Sequence, residues 1–392
     1  MCAAAPTLGA LIAGRAAQGL LGAPLVPLAM SVLLARGGGD RQISATAGLL
    51  FFLAPALGPT LGGGLITTGS WRWIFLVNVP IGLLGLLGTR RIPGTAVPTH
   101  QAGARFDPVG IVLLAGGLTL ALYGTSQGSA HGWTGGLADV LPLTAGVVLL
   151  AGYVGWALRR DQPAVDLGLL RHGQASLALG LSVLSAIIAF ATVFLLPVFT
   201  QSVQHYSALA TGLALLPQGV VTGLGTVIGQ RLLTRIGVRT LVLTGFVVLA
   251  ASSACLLLIT ATTPLWVTAL ILSGRALAIG LGITPLLFAM LEPLNDAQLA
   301  DGNTLFNIMQ RLGGSIGVGM IGSLLAARLP IVGAVDAFHE IGLVLAVLAG
   351  VAAVLSLKLT SIRQPDAARP HPLAPSSTTP GRSGDSRATR PE

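Results

Sequence analysis

Eleven apolar runs follow one another from residue 8 to residue 359, each about as long as the ~20-residue helix that crosses a bilayer. They lie at roughly 8–34, 44–66, 71–89, 107–126, 139–158, 175–199, 209–233, 239–261, 264–290, 301–327 and 338–359. None shows the polar–apolar alternation of a transmembrane strand. In hydrocarbon a backbone must satisfy its own hydrogen bonds, so each run is expected to be an α-helix. The fold class that follows is an all-α polytopic membrane protein, with the lipid bilayer as its first partner. Composition bears this out, because only 9% of residues are charged, against about 25% in soluble domains. The 53 glycines suit helices that approach one another through small side chains.

The formal charge of +9 would suggest nucleic acid in a soluble protein. Here the basic residues collect in alternate loops, and membrane orientation accounts for them, so no nucleic-acid partner is expected. One set of loops holds Arg36 and Arg41; Arg90, Arg91 and Arg105; Arg159, Arg160 and Arg171; Arg231, Arg235 and Arg239; and Lys358 with Arg363. The opposite set holds Arg72 and Arg328. The first set is read as cytoplasmic. The first run then enters from outside, and the C-terminus is cytoplasmic, in the plasma or inner membrane of the cell. An odd number of spans entered from outside, with no signal peptide ahead of them, is expected of a chain that lacks upstream helices. Residues 363–392, rich in Pro, Ser, Thr, Gly and Arg, are expected to form a disordered cytoplasmic tail.

Within the runs, a few residues are too polar or too special to be filler. Arg15, with Gln18 and Gly19, lies about two turns inside the first run. A charge there is costly and marks function. Gly58, Pro59, Gly62 and Gly63 interrupt the second run. Pro59 removes a helical donor, and the glycines admit a neighbouring backbone. This suits a helix that bends or slides, and ordinary small-residue packing explains it equally well. Trp71, Arg72 and Trp73 are expected to anchor the outer interface. Asn78 and Pro80 lie deeper, and Asn78 is expected to bond across helices.

Arg275 and Arg311 each sit about ten residues inside a run and, with Asn307 and Gln310, are candidate polar residues of a cavity, Asn307 and Gln310 joining Arg311 on an expected inward face. Leu11-Ile12-Ala13-Gly14-Arg15-Ala16 recurs as Ile271-Leu272-Ser273-Gly274-Arg275-Ala276, each followed by glycines and a proline. Two related halves are typical of secondary transporters. Gly229 to Arg239 reads as a tight basic cytoplasmic loop in which glycine permits the turn, with Gly237, Arg235 and Arg239 inside it.

Every Asp and Glu maps to a loop, a run end or the tail. No carboxylate is therefore expected near mid-membrane to take up and release a proton. The GxxxxGK[ST] pattern of a nucleotide-binding loop is missing from the sequence. Cys2, Cys255 and the six His residues show no ligand spacing. Neither a metal, a cofactor nor enzymatic chemistry is expected.

In these motifs the chain resembles the major facilitator superfamily, and within it the fourteen-helix drug:proton antiporter branch of EmrB/QacA type. The resemblance runs from about residue 2 to 362. Arg15-Ala16-Ala17-Gln18-Gly19 is similar to the helix-four motif, whose Arg is implicated in proton coupling. Gly58-Pro59-Thr60-Leu61-Gly62-Gly63 is similar to the helix-five antiport motif. Trp71 to Phe75 and Asn78 to Gly82 resemble the start of helix six. Gly229 to Arg239 resembles the second-half copy of the cytoplasmic loop motif, and Arg311 to Gly317 the helix-thirteen pattern.

The resemblance implies that the spans are helices four to fourteen, with helices one to three and their acidic motif absent. Residues 1–91 would be a remnant of the N-terminal bundle, 92–172 a pair of linker helices, and 173–362 a C-terminal six-helix bundle. It implies a monomeric exporter of an amphipathic drug or natural product, driven by the proton gradient, with its cavity between the two bundles. Two alternatives stand beside it: a non-transporting fragment or degenerate membrane protein, and an ATP-driven permease subunit.

Overall fold

The computed structural model describes residues 2–22, 25, 58, 61–65, 69–89, 107–131, 136–160, 163–165, 167–295 and 298–361. The helices are α1 (Leu8–Gly22), α2 (Trp73–Leu76), α3 (Asn78–Thr89), α4 (Pro108–His131), α5 (Leu137–Ala157), α6 (Gly173–Ser202), α7 (Ala208–Ile236), α8 (Val238–Ala254), α9 (Leu265–Leu291), α10 (Leu299–Val332) and α11 (Ala334–Ser356). Among the described residues no strand occurs, and eight helices, α4 to α11, are long and apolar enough to span a membrane. They fall on the eight runs expected from 107–126 to 338–359. The run expected at 71–89 is divided into α2 and α3 at Val77. Of the first two runs, α1 and the helical residues 61–65 are described. Pro59, residues 92–106 and the tail from 363 lie outside the described residues.

Helices α6 to α11 form one bundle around a continuous apolar core, in which Ile188, Leu241, Leu256, Ile321 and Leu345 are buried. The bundle is built from two triplets, α6–α8 and α9–α11, that pack crosswise. The first helix of each triplet meets the second helix of the other, so α6 lies on α10 and α7 on α9. Both crossings are closed by glycines four residues apart. A Cβ on Gly313 would sit 2.9 Å from the Val183 carbonyl oxygen, and one on Gly317 would strike the Ile187 carbonyl. On the other side, a Cβ on Gly225 would lie 2.9 Å from the Leu277 carbonyl oxygen, and one on Gly229 would lie 3.0 Å from that of Leu281. Small residues at this spacing let two backbones touch, which supplies the dispersion contact that lipid cannot.

Each triplet also turns from its second to its third helix on a single glycine. Gly237 (φ 80°) follows α7 and Gly333 (φ 82°) follows α10. Their N–H groups donate to Leu233 O at 3.2 Å and Leu329 O at 3.1 Å. Only glycine takes this left-handed backbone at no steric cost. This corrects the reading of Gly229–Arg239 as a loop. Helix α7 runs on to Ile236, Gly229 is a buried packing residue, and Gly237 alone makes the turn. Arg235 and Arg239 flank that turn and are exposed.

Helices α4 and α5 form a separate hairpin, with α4 packed against α10. Pro108 opens α4 where a missing N–H costs nothing. Asp107 caps it, accepting from Gly110 N at 3.0 Å, Trp156 Nε1 at 3.1 Å and Ala164 N at 3.1 Å. The Gly110 N–H holds the Asp107 carboxyl below its usual value; desolvation opposes this, and Trp156, the Ala164 N–H and nearby Arg160 reinforce it. One carboxylate therefore ties the start of α4, the end of α5 and the chain leading to α6. Tyr153 adds a second tie, its hydroxyl donating to Val165 O and accepting from Val165 N, both at 2.8 Å.

The glycine crossings can be tested by adding bulk. Gly317→Leu should destabilise the bundle by about 1–3 kcal/mol, the usual cost of overpacking. Gly350→Leu, where a Cβ meets no described atom within 4 Å, should stay within about 0.5 kcal/mol. Denaturant titration of the detergent-solubilised protein reads both. Equal losses at the two positions would show that the α6–α10 crossing is not a close contact.

Candidate functional site

A cavity of about 740 Å³ opens between α4, α6 and α10. Leu122, Thr125 and Ser126 of α4 form one wall, and Phe190 and Phe194 of α6 another. The third is a stripe of α10: Arg311, Gly314, Ser315, Val318, Gly319 and Gly322. These residues recur every three or four positions, so one face of α10 lines the cavity. A neighbouring face, with Gly313, Gly317 and Ile321, is buried toward the bundle. Gly314 stands against the Phe190 ring, which leaves no room for a side chain there.

Arg311 is the one charged group in the cavity wall. It is exposed and has no hydrogen bond or ion pair among the described residues. It lies ten residues past Asp301, where the apolar stretch of α10 begins, or about 15 Å along the helix. The span runs from Asp301 to Val332, so Arg311 lies in its first half, within the apolar stretch. Asn307 is one turn earlier and turns back on its own helix, donating to Asn303 O at 2.8 Å. Gln310 is half-buried beside Arg311 and is not among the cavity-lining residues.

Arg275 differs from the expectation. It was placed with Arg311 as a cavity group, but it is 2% exposed and sits in the core of the bundle. Its guanidinium donates to Ser253 Oγ of α8 at 2.5 Å, to Ile188 O of α6 at 3.1 Å, and to Thr192 Oγ1 of α6. Three helices are thus joined by one fork-shaped donor. The planar guanidinium suits this task because its N–H groups diverge at fixed angles. The repeat that pairs Arg15 with Arg275 does not carry this environment over, since Arg15 is exposed.

Around Arg15 the structure joins two motifs that the sequence separates. Its Nη1 donates to Gln18 Oε1 at 3.0 Å, and its guanidinium lies 5.7 Å from the centre of the Phe75 ring. Phe75 meets Trp71 edge to face at 5.9 Å, and Arg72 covers Trp71 at 4.9 Å. Two cations and two aromatic rings therefore form a ladder from α1 to the turn before α2. Trp73 and Pro80 are exposed. Asn78 donates to Ile74 O at 3.2 Å, one turn back along its own segment. The expected bond across helices is not the one made, because the short amide finds a carbonyl four residues away first. No described atom lies within 4 Å of a Cβ on Gly19.

The glycine-rich segment meets the start of α7, where a Cβ on Gly64 would lie 3.7 Å from Leu209 Cδ1. A Cβ on Gly63 would lie 2.6 Å from Ala208 O, at the start of α7. No described atom lies within 4 Å of a Cβ on Gly58 or Gly62. The close approach expected of the motif thus falls on Gly63.

A family model described as Major Facilitator Superfamily matches residues 1–318. The chain is 32% identical over 334 residues to the Multidrug resistance protein B homolog of Mycobacterium tuberculosis, covering 83% of this chain and 61% of that protein. It is 32% identical over 325 residues to the Multidrug export protein EmrB of Haemophilus influenzae, covering 82% and 63%. It is 28% identical over 330 residues to the Lincomycin resistance protein LmrB of Listeria innocua, covering 83% and 69%. The chain thus spans about three-fifths of the length of the first two relatives.

The role of Arg275 as a structural fork makes a sharp contrast between two substitutions. Thr192 and Ser253 already donate to Ile188 O and Leu249 O in their own helices, so removing the guanidinium orphans neither. Arg275→Met should therefore change stability by no more than about 1 kcal/mol. Arg275→Lys keeps the buried charge and loses the fork, and should cost about 2 kcal/mol or more. Thermal unfolding in detergent measures both. A Met variant less stable than the Lys variant would contradict the structural role.

Proposed function

The chain belongs to the major facilitator superfamily, and from that membership and the cavity beside Arg311 we propose that it acts as an exporter of drug-sized amphipathic molecules across the plasma or inner membrane. The superfamily is one of transporters, not enzymes. The observation that carries the reading is the cavity itself. Its volume of about 740 Å³ falls in the range of roughly 300–1,000 Å³ found for ligand pockets. Aromatic rings line one side and a cation with hydroxyls the other, which is the mixed wall an amphipathic cargo needs. The printed names of the relatives, multidrug and lincomycin resistance, agree with cargo of that kind.

In this reading α6 to α11 work as one body, with α4 and α5 as the linker pair beside it and the segment before residue 91 as part of the opposing body. Gly63 against Ala208 supports a bearing surface between the two, since bare backbone allows sliding without side-chain unlocking. The proton gradient supplies the energy. Arg15 and Gln18 tune a proton site and do not form it, because a guanidinium does not release its proton.

Reconstitution into liposomes with an imposed pH gradient tests this. Uptake of an amphipathic fluorescent dye into inverted vesicles should require the gradient and stop when a protonophore collapses it. Gly63→Leu should cut the rate about tenfold, since a clash of 1–3 kcal/mol bears directly on the moving contact, while Gly62→Leu should stay within about twofold. Dye movement indifferent to the gradient would remove the proton-coupled reading.

Loop charge also yields an orientation. With 159–174 and the C-terminus cytoplasmic, a lone cysteine at Arg160 in a Cys-free background should resist an impermeant thiol reagent added to intact cells. A lone cysteine at Thr262, between α8 and α9, should react. The reverse pattern would invert the topology.

A further inference from the structure

We propose that the α4–α6–α10 cavity selects amphiphiles that carry a negative charge: an aromatic body bearing a carboxylate, sulfonate or phosphate. The inference rests on the exporter reading and adds the class of ligand to it. Four cations of the chain are relevant, and three are already answered. Arg15 is bonded to Gln18 and covers Phe75. Arg275 is held by Thr192, Ile188 O and Ser253. Arg328 pairs with Glu340 at 2.5 Å. Arg311 alone has no partner among the described residues.

Its position makes that lack costly. A guanidinium within a membrane span needs an anion, a carbonyl or water to be tolerated. The cavity wall offers it no carboxylate. Thr125, across the cavity, already donates its hydroxyl to Ala121 O at 2.7 Å, and Ser126 and Ser315 add neutral hydroxyls, so the one charged donor an entering anion meets among the described lining residues is Arg311. Guanidinium pairs with planar or tetrahedral oxyanions through two parallel hydrogen bonds, and such charge-assisted bonds are the strong ones. Phe190 and Phe194 present rings to the rest of the ligand. A cationic amphiphile would meet like charge in a low-dielectric space and be repelled.

Anilinonaphthalene sulfonate and phenylnaphthylamine make a suitable pair, because they differ only by the sulfonate. Their binding to the full chain is read by fluorescence in zwitterionic nanodiscs, with empty nanodiscs subtracted. The sulfonate probe should bind more tightly than the neutral one. Arg311→Gln should weaken the sulfonate by about tenfold or more, as expected for a lost hydrogen bond to a charge, and leave the neutral probe within about twofold. Arg311→Lys should retain most of the preference, and Phe190→Ala should weaken both probes. An equal effect of Arg311→Gln on the two probes would overturn the anion selectivity and leave the exporter reading standing. Binding of neither probe would overturn the cavity as a ligand site, and both inferences with it. Adding phosphatidylglycerol to the nanodiscs separates two sources of the same chemistry. Undiminished sulfonate binding assigns the site to soluble organic anions, and displacement assigns it to anionic lipid headgroups; either result keeps the selectivity for negative charge.

Discussion

In lipid no hydrophobic effect draws one helix to another, so the α6–α11 bundle depends on how near its backbones can come. Gly313 and Gly317 bring α10 onto Val183 and Ile187, and Gly225 and Gly229 bring α7 onto Leu277 and Leu281. At these distances a single Cβ has no space. The same crossing is made twice between the two triplets, so the bundle carries an internal twofold relation in its packing as well as in its single-glycine turns at Gly237 and Gly333. That relation is the structural counterpart of inverted repeats in transporters.

Polar groups are then sorted by whether the helices can answer them. Many hydroxyls answer themselves: Thr119, Thr192 and Thr226 each donate to the carbonyl four residues earlier, whereas the buried Thr268 Oγ1 of α9 has no partner among the described residues. The self-made bonds cost nothing in packing and satisfy the hydroxyl within hydrocarbon. Arg275 cannot be answered by its own helix, and it reaches two neighbours instead. Among the described residues Arg311 reaches none, and the space in front of it is the cavity. A buried cation tied to hydroxyls and a cavity-facing cation without a partner are the two outcomes open to Arg inside a membrane bundle. The chain uses one of each in the same triplet.

The sequence made the spans legible because length and hydrophobicity are enough to mark them. From 107 onward every expected run is a helix within a few residues of its bounds. Faces were not legible. A run that is apolar all round has no 3.6-residue contrast to say which side meets a neighbour, so Arg275 and Arg311, at like depth, read alike. The repeat misleads for the same reason: it matches Arg15 to Arg275 by neighbouring residues, while burial is decided by what packs across from them. Gly229 failed differently. Basic residues after it suggested a loop, but charges near a helix end say where the membrane stops and not where the helix does. The signal that could have found the crossings was present as Gly225-x-x-x-Gly229 and Gly313-x-x-x-Gly317.

The arrangement of α10 links this packing to the proposed chemistry. Its closing stripe, through Gly313 and Gly317, is fixed on α6, and its lining stripe, through Arg311, Gly314 and Val318, is displaced by about one residue. Adjacent positions on a helix are about 100° apart, so a wall clamped on one stripe holds the other at a set angle. Phe190 belongs to the clamp and to the cavity at once, because Gly314 rests on its ring and the ring lines the space. Arg311 and Phe190 are therefore held in fixed relation by a close backbone contact. Motion that changes access to the cavity is then expected of α4, which closes its remaining wall, or of the segment at Gly63, which meets α7 on bare backbone. In the proposed exporter, a wall fixed in this way would keep hold of a ligand's charge while its surroundings rearrange.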